Sequence, residues 1–220
     1  MIGTLYIVAT PIGNLEDITL RAIETLKKVD LIAAEDTRHT KILLDRYQIK
    51  TPTTSYFEYN KIKKTDYLLK VLKDGKSVAL VSDAGTPGIS DPGYKIIRVC
   101  IDSNVPVIPI PGPSGLITAL TVSGKQTNKF TFEGFLSNKS LRRKNQLKKL
   151  KTEERTVVLY ESPHRIVKLL EDILEIYGDI EIVLTRELTK KFEEIRREKT
   201  SLLINHFRST PPKGEFIVIV

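Results

Sequence analysis

The sequence is poor in the residues that staple small domains or hold metal ions. A single cysteine, Cys100, excludes an intramolecular disulfide. Its setting, Ile96-Ile97-Arg98-Val99-Cys100-Ile101, reads as the buried side of a helix rather than as a reactive thiol. The three histidines, His39, His164 and His206, stand far apart with no cysteine nearby, so no zinc spacing exists and no metal is expected. Long apolar runs are also missing. Met1–Tyr6 carries no basic side chain and leads straight into a strand pattern, unlike a signal peptide; a cytoplasmic protein without a membrane partner is expected. Neither Gly-x-Gly-x-x-Gly nor Gly-x-x-x-x-Gly-Lys-Ser/Thr occurs, which excludes the dinucleotide fingerprint and the P-loop. The nucleophile elbow Gly-x-Ser-x-Gly is absent as well.

What is present is an ordinary folding composition. The chain has 220 residues, 40% of them hydrophobic and 28% charged. That length suits about one to two domains and buries about 70% of the unfolded surface, so no staple is needed. The formal net charge is +8 and is unevenly placed. Residues 1–123 hold 15 Lys and Arg against 13 Asp and Glu, whereas residues 124–220 hold 20 against 14. Lys139–Lys151 contains seven cations and no acid. On charge alone, a polyanionic partner and a solvated helix face fit equally.

The first half alternates strand and helix patterns. Ile2–Ala9, Asp30–Ala34, Ser77–Val81 and Pro106–Ile110 read as apolar strands. Helical spacing marks Thr19–Val29, with Leu20, Ile23, Leu26 and Val29 on one face, and Tyr59–Lys73, with Ile62, Leu69 and Leu72 inward. His39–Tyr47, Gly93–Asp102 and a stretch ending at Val122 complete the helices. This α/β rhythm predicts a mostly parallel N-terminal sheet flanked by helices. Ser123–Lys129 is linker-like, so the expected domains are 1–123 and 124–220. The second half predicts a mixed α/β sheet: strands Phe130–Glu133, Thr156–Tyr160, Ile180–Leu184 and Phe216–Val220, a strand or arm at Phe192–Arg197, and helices Ser140–Lys151, Pro163–Ile176 and Ser201–Arg208.

Ligands of open parallel sheets bind beyond the C-terminal ends of the strands. Four loops lie there: Thr10–Leu15, Glu35–Thr40, Ser82–Gly93 and Pro109–Ser114. Ser82–Gly93 is longer than the usual two to six residues and rich in glycine and proline, so it offers main-chain groups to a polar ligand; a tight structural connection is the plainer alternative. Glu35-Asp36-Thr37-Arg38-His39-Thr40 contains a helix cap at Asp36 or Thr37, which leaves Arg38 and His39 for a phosphate or a ribose. In the second half, Glu161 ends a strand, Ser162 suits a cap and Pro163 a first helical turn.

These loops carry a resemblance. Ala9–Thr19, Ala34–Thr40, Ser82–Gly93, Pro109–Ser114, Glu133–Leu136, Tyr160–Arg165, Thr185–Lys190 and Lys213–Glu215 resemble, in order and over nearly the whole chain, the ribosomal RNA small-subunit methyltransferase I group within the tetrapyrrole-methylase-like superfamily. The resemblance implies a two-domain α/β protein, a homodimer, with S-adenosylmethionine in the cleft between domains. It implies methylation of the ribose 2′-oxygen of a cytidine in the decoding region of 16S ribosomal RNA, free or in the small subunit. Like its superfamily, the chain lacks the Asp/Glu-x-Gly-x-Gly-x-Gly loop of ordinary Rossmann methyltransferases. Implied cofactor contacts are Pro11, Ser82, Asp83, Ala84, Gly85, Thr86, Ile89, Asp91, Ser114, Gly115, Tyr160 and Glu161. Many relatives continue past the Lys-Gly-Glu strand, so contacts made by such a tail fall outside these residues.

A ribose hydroxyl is a weak nucleophile near neutral pH, and a carboxylate within reach would assist it. Asp83, Glu161, Glu35 and Asp36 are the candidates, unranked. An unstacked RNA strand is expected, with Arg38, His39 and Lys41 at the mouth and Arg142, Arg143 and Lys144 on phosphates. Two alternatives stand beside this: a sister enzyme acting on a tetrapyrrole or a protein, and an RNA-binding assembly factor without catalysis.

Overall fold

In the computed structural model, which describes residues 1–220, the chain divides into two units, Met1–Ser114 and Gly115–Val220. The first unit builds β1 (Leu5–Val8), α1 (Leu20–Lys28), β2 (Leu31–Ala34), α2 (Thr37–Arg46), β3 (Thr53–Ser55), α3 (Lys61–Lys73), β4 (Val78–Val81), α4 (Tyr94–Asp102) and β5 (Val107–Ile110). The five strands are parallel in the order β3-β2-β4-β1-β5. Strand periodicity sorts the side chains onto two faces. Val78 and Leu80 join Leu68, Leu72, Ile96 and Cys100 under α3 and α4, while Ala79 and Val81 join Leu26, Leu43 and Leu44 under α1 and α2. The chain leaves β1 toward β2 and leaves β4 toward β5, in opposite directions across the sheet. The paired strands β1 and β4 therefore mark the topological switch point.

The element types follow the sequence reading closely, with local corrections. Leu20 is 83% exposed and Ile62 is 67% exposed, although both were expected to face inward. Each lies in the first turn of its helix; the buried positions are Ala22 and Leu26 in α1, and Thr65, Leu68 and Leu72 in α3. The short edge strand β3 has no apolar residue to announce it.

The second unit builds α5 (Gly115–Ser123), β6 (Phe130–Phe135), α6 (Ser140–Leu150), β7 (Thr156–Glu161), α7 (Ile166–Tyr177), β8 (Glu181–Arg186), β9 (Glu194–Lys199), α8 (Thr200–Ser209) and β10 (Phe216–Ile219). Its order is β6-β7-β10-β8-β9, with β6 and β7 parallel and the other pairs antiparallel. Val157, Leu159, Ile182, Leu184, Phe216 and Val218 form one core with the inner faces of α6, α7 and α8. On the opposite face, α5 runs beside β10 and belongs to this unit, whereas the linker-like stretch marked by composition begins only at its last residue. Arg197 of β9 donates to the Val122 and Ser123 carbonyls at the end of α5. Pro163 does not open α7. The turn before it is closed by the Ser162 carbonyl, which accepts from Arg165 and Ile166 N–H, both at 3.1 Å, so Ser162 is no side-chain cap.

Candidate active site

Three of the four loops at the C-terminal edge of the first sheet are tied together. After β1 and β4, Thr10 and Gly85 form an isolated antiparallel bridge: Thr10 N–H donates to Gly85 O at 2.9 Å and Gly85 N–H to Thr10 O at 3.0 Å. The buried Thr10 hydroxyl donates to the Ser82 carbonyl at 3.1 Å. Thr86 Oγ1 donates to the Pro113 carbonyl, beyond β5, at 3.3 Å. Gly85 takes φ +79°, which favours glycine, and a Cβ at Gly112 would stand 3.0 Å from the Ala9 Cβ. The outcome is a fixed main-chain surface with little side-chain bulk. Pro11, Ser82 and Gly85 are buried in it, Asp83, Ala84, Thr86, Asp91 and Ser114 are half-buried, and Ile89 is exposed.

The fourth loop supplies charge. Asp36 caps α2, its Oδ1 accepting Arg38 N–H at 2.8 Å, and its Oδ2 accepts Arg38 Nη2 at 2.7 Å. Arg38's side-chain hydrogen bonds hold the Asp36 carboxyl well below the usual range. Glu35 and Asp83 form a separate pair: Asp83 N–H points to Glu35 Oε2 at 3.4 Å, and Asp83 Oδ1 accepts Asp36 N–H at 3.0 Å. Burial raises the Glu35 pKa above the ordinary value, the Asp83 N–H opposes this, and the negative charges of Asp83 and Asp36 add to the rise. A carboxylate destabilised in this way is the better proton acceptor near neutral pH.

The second unit gathers another group at one edge of its sheet. Tyr160, at the end of β7, has its hydroxyl 3.5 Å from where a Gly115 Cβ would stand. Glu161 is sealed from solvent. Its Oε1 accepts Ser162 N–H at 2.8 Å and its Oε2 pairs with Arg165 Nη2 at 3.0 Å; Arg165 also donates to the Leu136 carbonyl at 2.6 Å. Burial raises the Glu161 pKa, partly offset by the Ser162 N–H and by Arg165 and Arg143. Glu161 thus fixes a turn through Oε1, while its Oε2 is buried beside Arg165 without a hydrogen bond.

The expected cations separate by environment. Arg143 is corrected: it is only 4% exposed, and its Nε donates to the buried Asp172 at 2.6 Å, so it cannot meet a phosphate. Lys144 pairs with Glu175 at 2.5 Å and lies 3.8 Å from Asp172. Lys41 pairs with Asp45 at 3.0 Å, on an exposed surface where such a pair contributes little. Arg142 and His39 are exposed, and Lys148 and Lys149, not singled out by sequence, are exposed beside Arg142 on α6 without an acidic partner.

Both sets of loops fall within a known family. The family model described as tetrapyrrole (corrin/porphyrin) methylases matches residues 4–203. A solved uroporphyrin-III C-methyl transferase from Thermus thermophilus, complexed with S-adenyl homocysteine, shares the fold with a TM-score of 0.70 at 16% identity, covering 99% of this chain and 97% of that one. Among curated proteins, the ribosomal RNA small subunit methyltransferase I of Thermotoga maritima is 51% identical over 218 residues, covering 99% of this chain and 98% of its own. The one from Synechocystis is 51% identical over 219 residues, covering 99% of this chain and 78% of its own. The chain belongs to the tetrapyrrole methylase family and, within it, to the ribosomal RNA small subunit methyltransferase I group.

Proposed function

We infer that this protein transfers a methyl group from S-adenosylmethionine to the ribose 2′-oxygen of a cytidine in the decoding region of 16S ribosomal RNA. It acts in the cytoplasm, as a homodimer, on the RNA or the small subunit. The observation that carries this reading is the near-full-length identity to relatives named for that RNA, joined to intact loops at the switch point.

The residues fit the cofactor. Main chain stays bare at Gly112 and Gly115, where a Cβ would press on Ala9 and Ile217, and at Gly85, whose positive φ favours glycine. Pro11, Ser82, Asp83, Ala84, Gly85, Thr86, Ile89, Asp91 and Ser114 of the first unit form its proposed contact set. When bound, S-adenosylmethionine supplies an electrophilic methyl group on a sulfonium. The chain's own task is then alignment and proton removal. Glu35 takes the ribose proton in this scheme, with Asp83 holding the Glu35 carboxylate in place; Asp36 is engaged by Arg38 and Glu161 by Arg165.

Titration calorimetry with S-adenosylmethionine tests the reading. Binding in the micromolar range is expected, weakened at least ten-fold in Gly85→Ala. A wild-type protein that evolves no heat with this ligand would contradict it.

A further inference from the structure

The family motif Glu133-Gly134-Phe135-Leu136 does something that the cofactor loops do not explain. In a regular strand, residues 132 and 135 face opposite sides of the sheet. Here the β6–β7 register breaks: Phe132 pairs with Val158, but Gly134 pairs with Leu159 and Phe135 with Tyr160. The extra residue is a β-bulge, and Gly134, at φ +59°, allows it. Its effect is to turn Phe135 onto the face that already carries Phe132 and Tyr160. The Tyr160 ring meets Phe132 edge to face at 4.8 Å between centroids and Phe135 at 5.9 Å. This is the face opposite the core of α6, α7 and α8, because Leu159 points into that core. Phe135 is left 54% exposed.

A bulge that places an aromatic ring in solvent, backed by two further rings, needs a partner with a flat apolar face. Charge indicates which. Only four residues separate Phe135 from α6, which packs on the other face of the sheet. Around the edge strand β6, Lys139 and Arg142 are exposed at the start of that helix without acidic partners, the nearest exposed acid in sequence being Glu133. A second copy set symmetrically on this patch would bring those cations against their own kind. A nucleic acid presents a base for the ring and phosphates for the cations.

We propose that Phe135, braced by Tyr160 and Phe132, is a stacking platform for one unpaired base of the RNA substrate, with flanking phosphates on Lys139 and Arg142. This rests on the RNA-methylating function inferred above and adds a positioning surface to it.

The probe is a twelve-nucleotide single-stranded RNA with 2-aminopurine at its centre, whose fluorescence is quenched on stacking. Wild type should bind it with quenching. Phe135→Leu should lose roughly ten- to hundred-fold in affinity together with the quenching, and Phe135→Trp should restore both. Cofactor affinity by calorimetry and mass by light scattering should stay at wild-type values in both variants. Lys139→Ala should lower the salt slope of binding by about one unit. RNA binding by Phe135→Leu equal to wild type removes the platform but leaves the methyltransferase reading standing. A drop to half the mass in Phe135→Leu assigns the ring to a second copy and overturns the platform. A wild type that binds no RNA overturns the platform and the inferred function together.

Discussion

Arg143 Nε donates to Asp172 Oδ2 at 2.6 Å, and both side chains are almost sealed from water. This pair joins α6 to α7 beneath the most cationic stretch of the chain. Removing Arg143 leaves the buried Asp172 carboxylate with only the more distant Lys144, 3.8 Å away, to offset its charge. Arg143→Ala should therefore destabilise the protein by about 3–5 kcal/mol, read from urea denaturation. Arg142→Ala, one residue away and exposed, should leave stability within about 0.5 kcal/mol and weaken RNA binding instead. If the two variants behave alike in both measurements, the division between structural and free cations on α6 is wrong.

Glu35 is the group whose pH behaviour bears on mechanism. Its pKa is raised in the folded protein by burial and by Asp83 and Asp36, so the folded state holds a proton that the unfolded state has already released. As pH climbs from the ordinary glutamate range through the raised value, that proton is lost and stability falls. Glu35→Gln never ionises. Its stability relative to wild type should increase across that window and stay level on either side, as measured by denaturation at a series of pH values. Asp83→Asn removes a neighbouring negative charge and should bring the Glu35 titration down, observable by carboxyl NMR. A Glu35 that titrates in the ordinary range would remove the reason for preferring it as the base.

Gly85 holds the Thr10 bridge in a left-handed conformation. Alanine there should destabilise the fold by about 1–2 kcal/mol, whereas alanine at the exposed Ile89 should change stability by less than about 0.5 kcal/mol. Thermal melts of the two variants separate these effects.

Cys100, on the inner face of α4, lies fully inside the core, and burial pushes its thiol up to about 11. A thiol reagent at neutral pH should leave it unlabelled in the folded protein and label it fully after denaturation. Rapid native labelling would contradict its placement.

Much of the fold was legible because each unit writes its periodicity plainly. Val78–Val81 is a continuous apolar run, as a strand buried on both faces must be. The switch-point loops were legible from glycine, proline and length. What was hidden depends on partners far away in sequence. Arg142, Arg143 and Lys144 look alike as letters, and only Asp172, on another helix, distinguishes the second of them. Helical spacing offered a partial clue, since Arg143 lies four residues before the buried Leu147 on the inner side of α6. The exposure of Phe135 was beyond reach, because a register shift belongs to two strands together.

The most direct measurement is nucleoside mass analysis of 16S ribosomal RNA from small subunits of cells lacking this protein, before and after incubation with the purified protein and S-adenosylmethionine. A decoding-region cytidine should be unmethylated before and carry one ribose methyl after, and Glu35→Gln should slow its appearance. A ribose methyl already at full level without the protein, or none gained with it, would contradict the assignment.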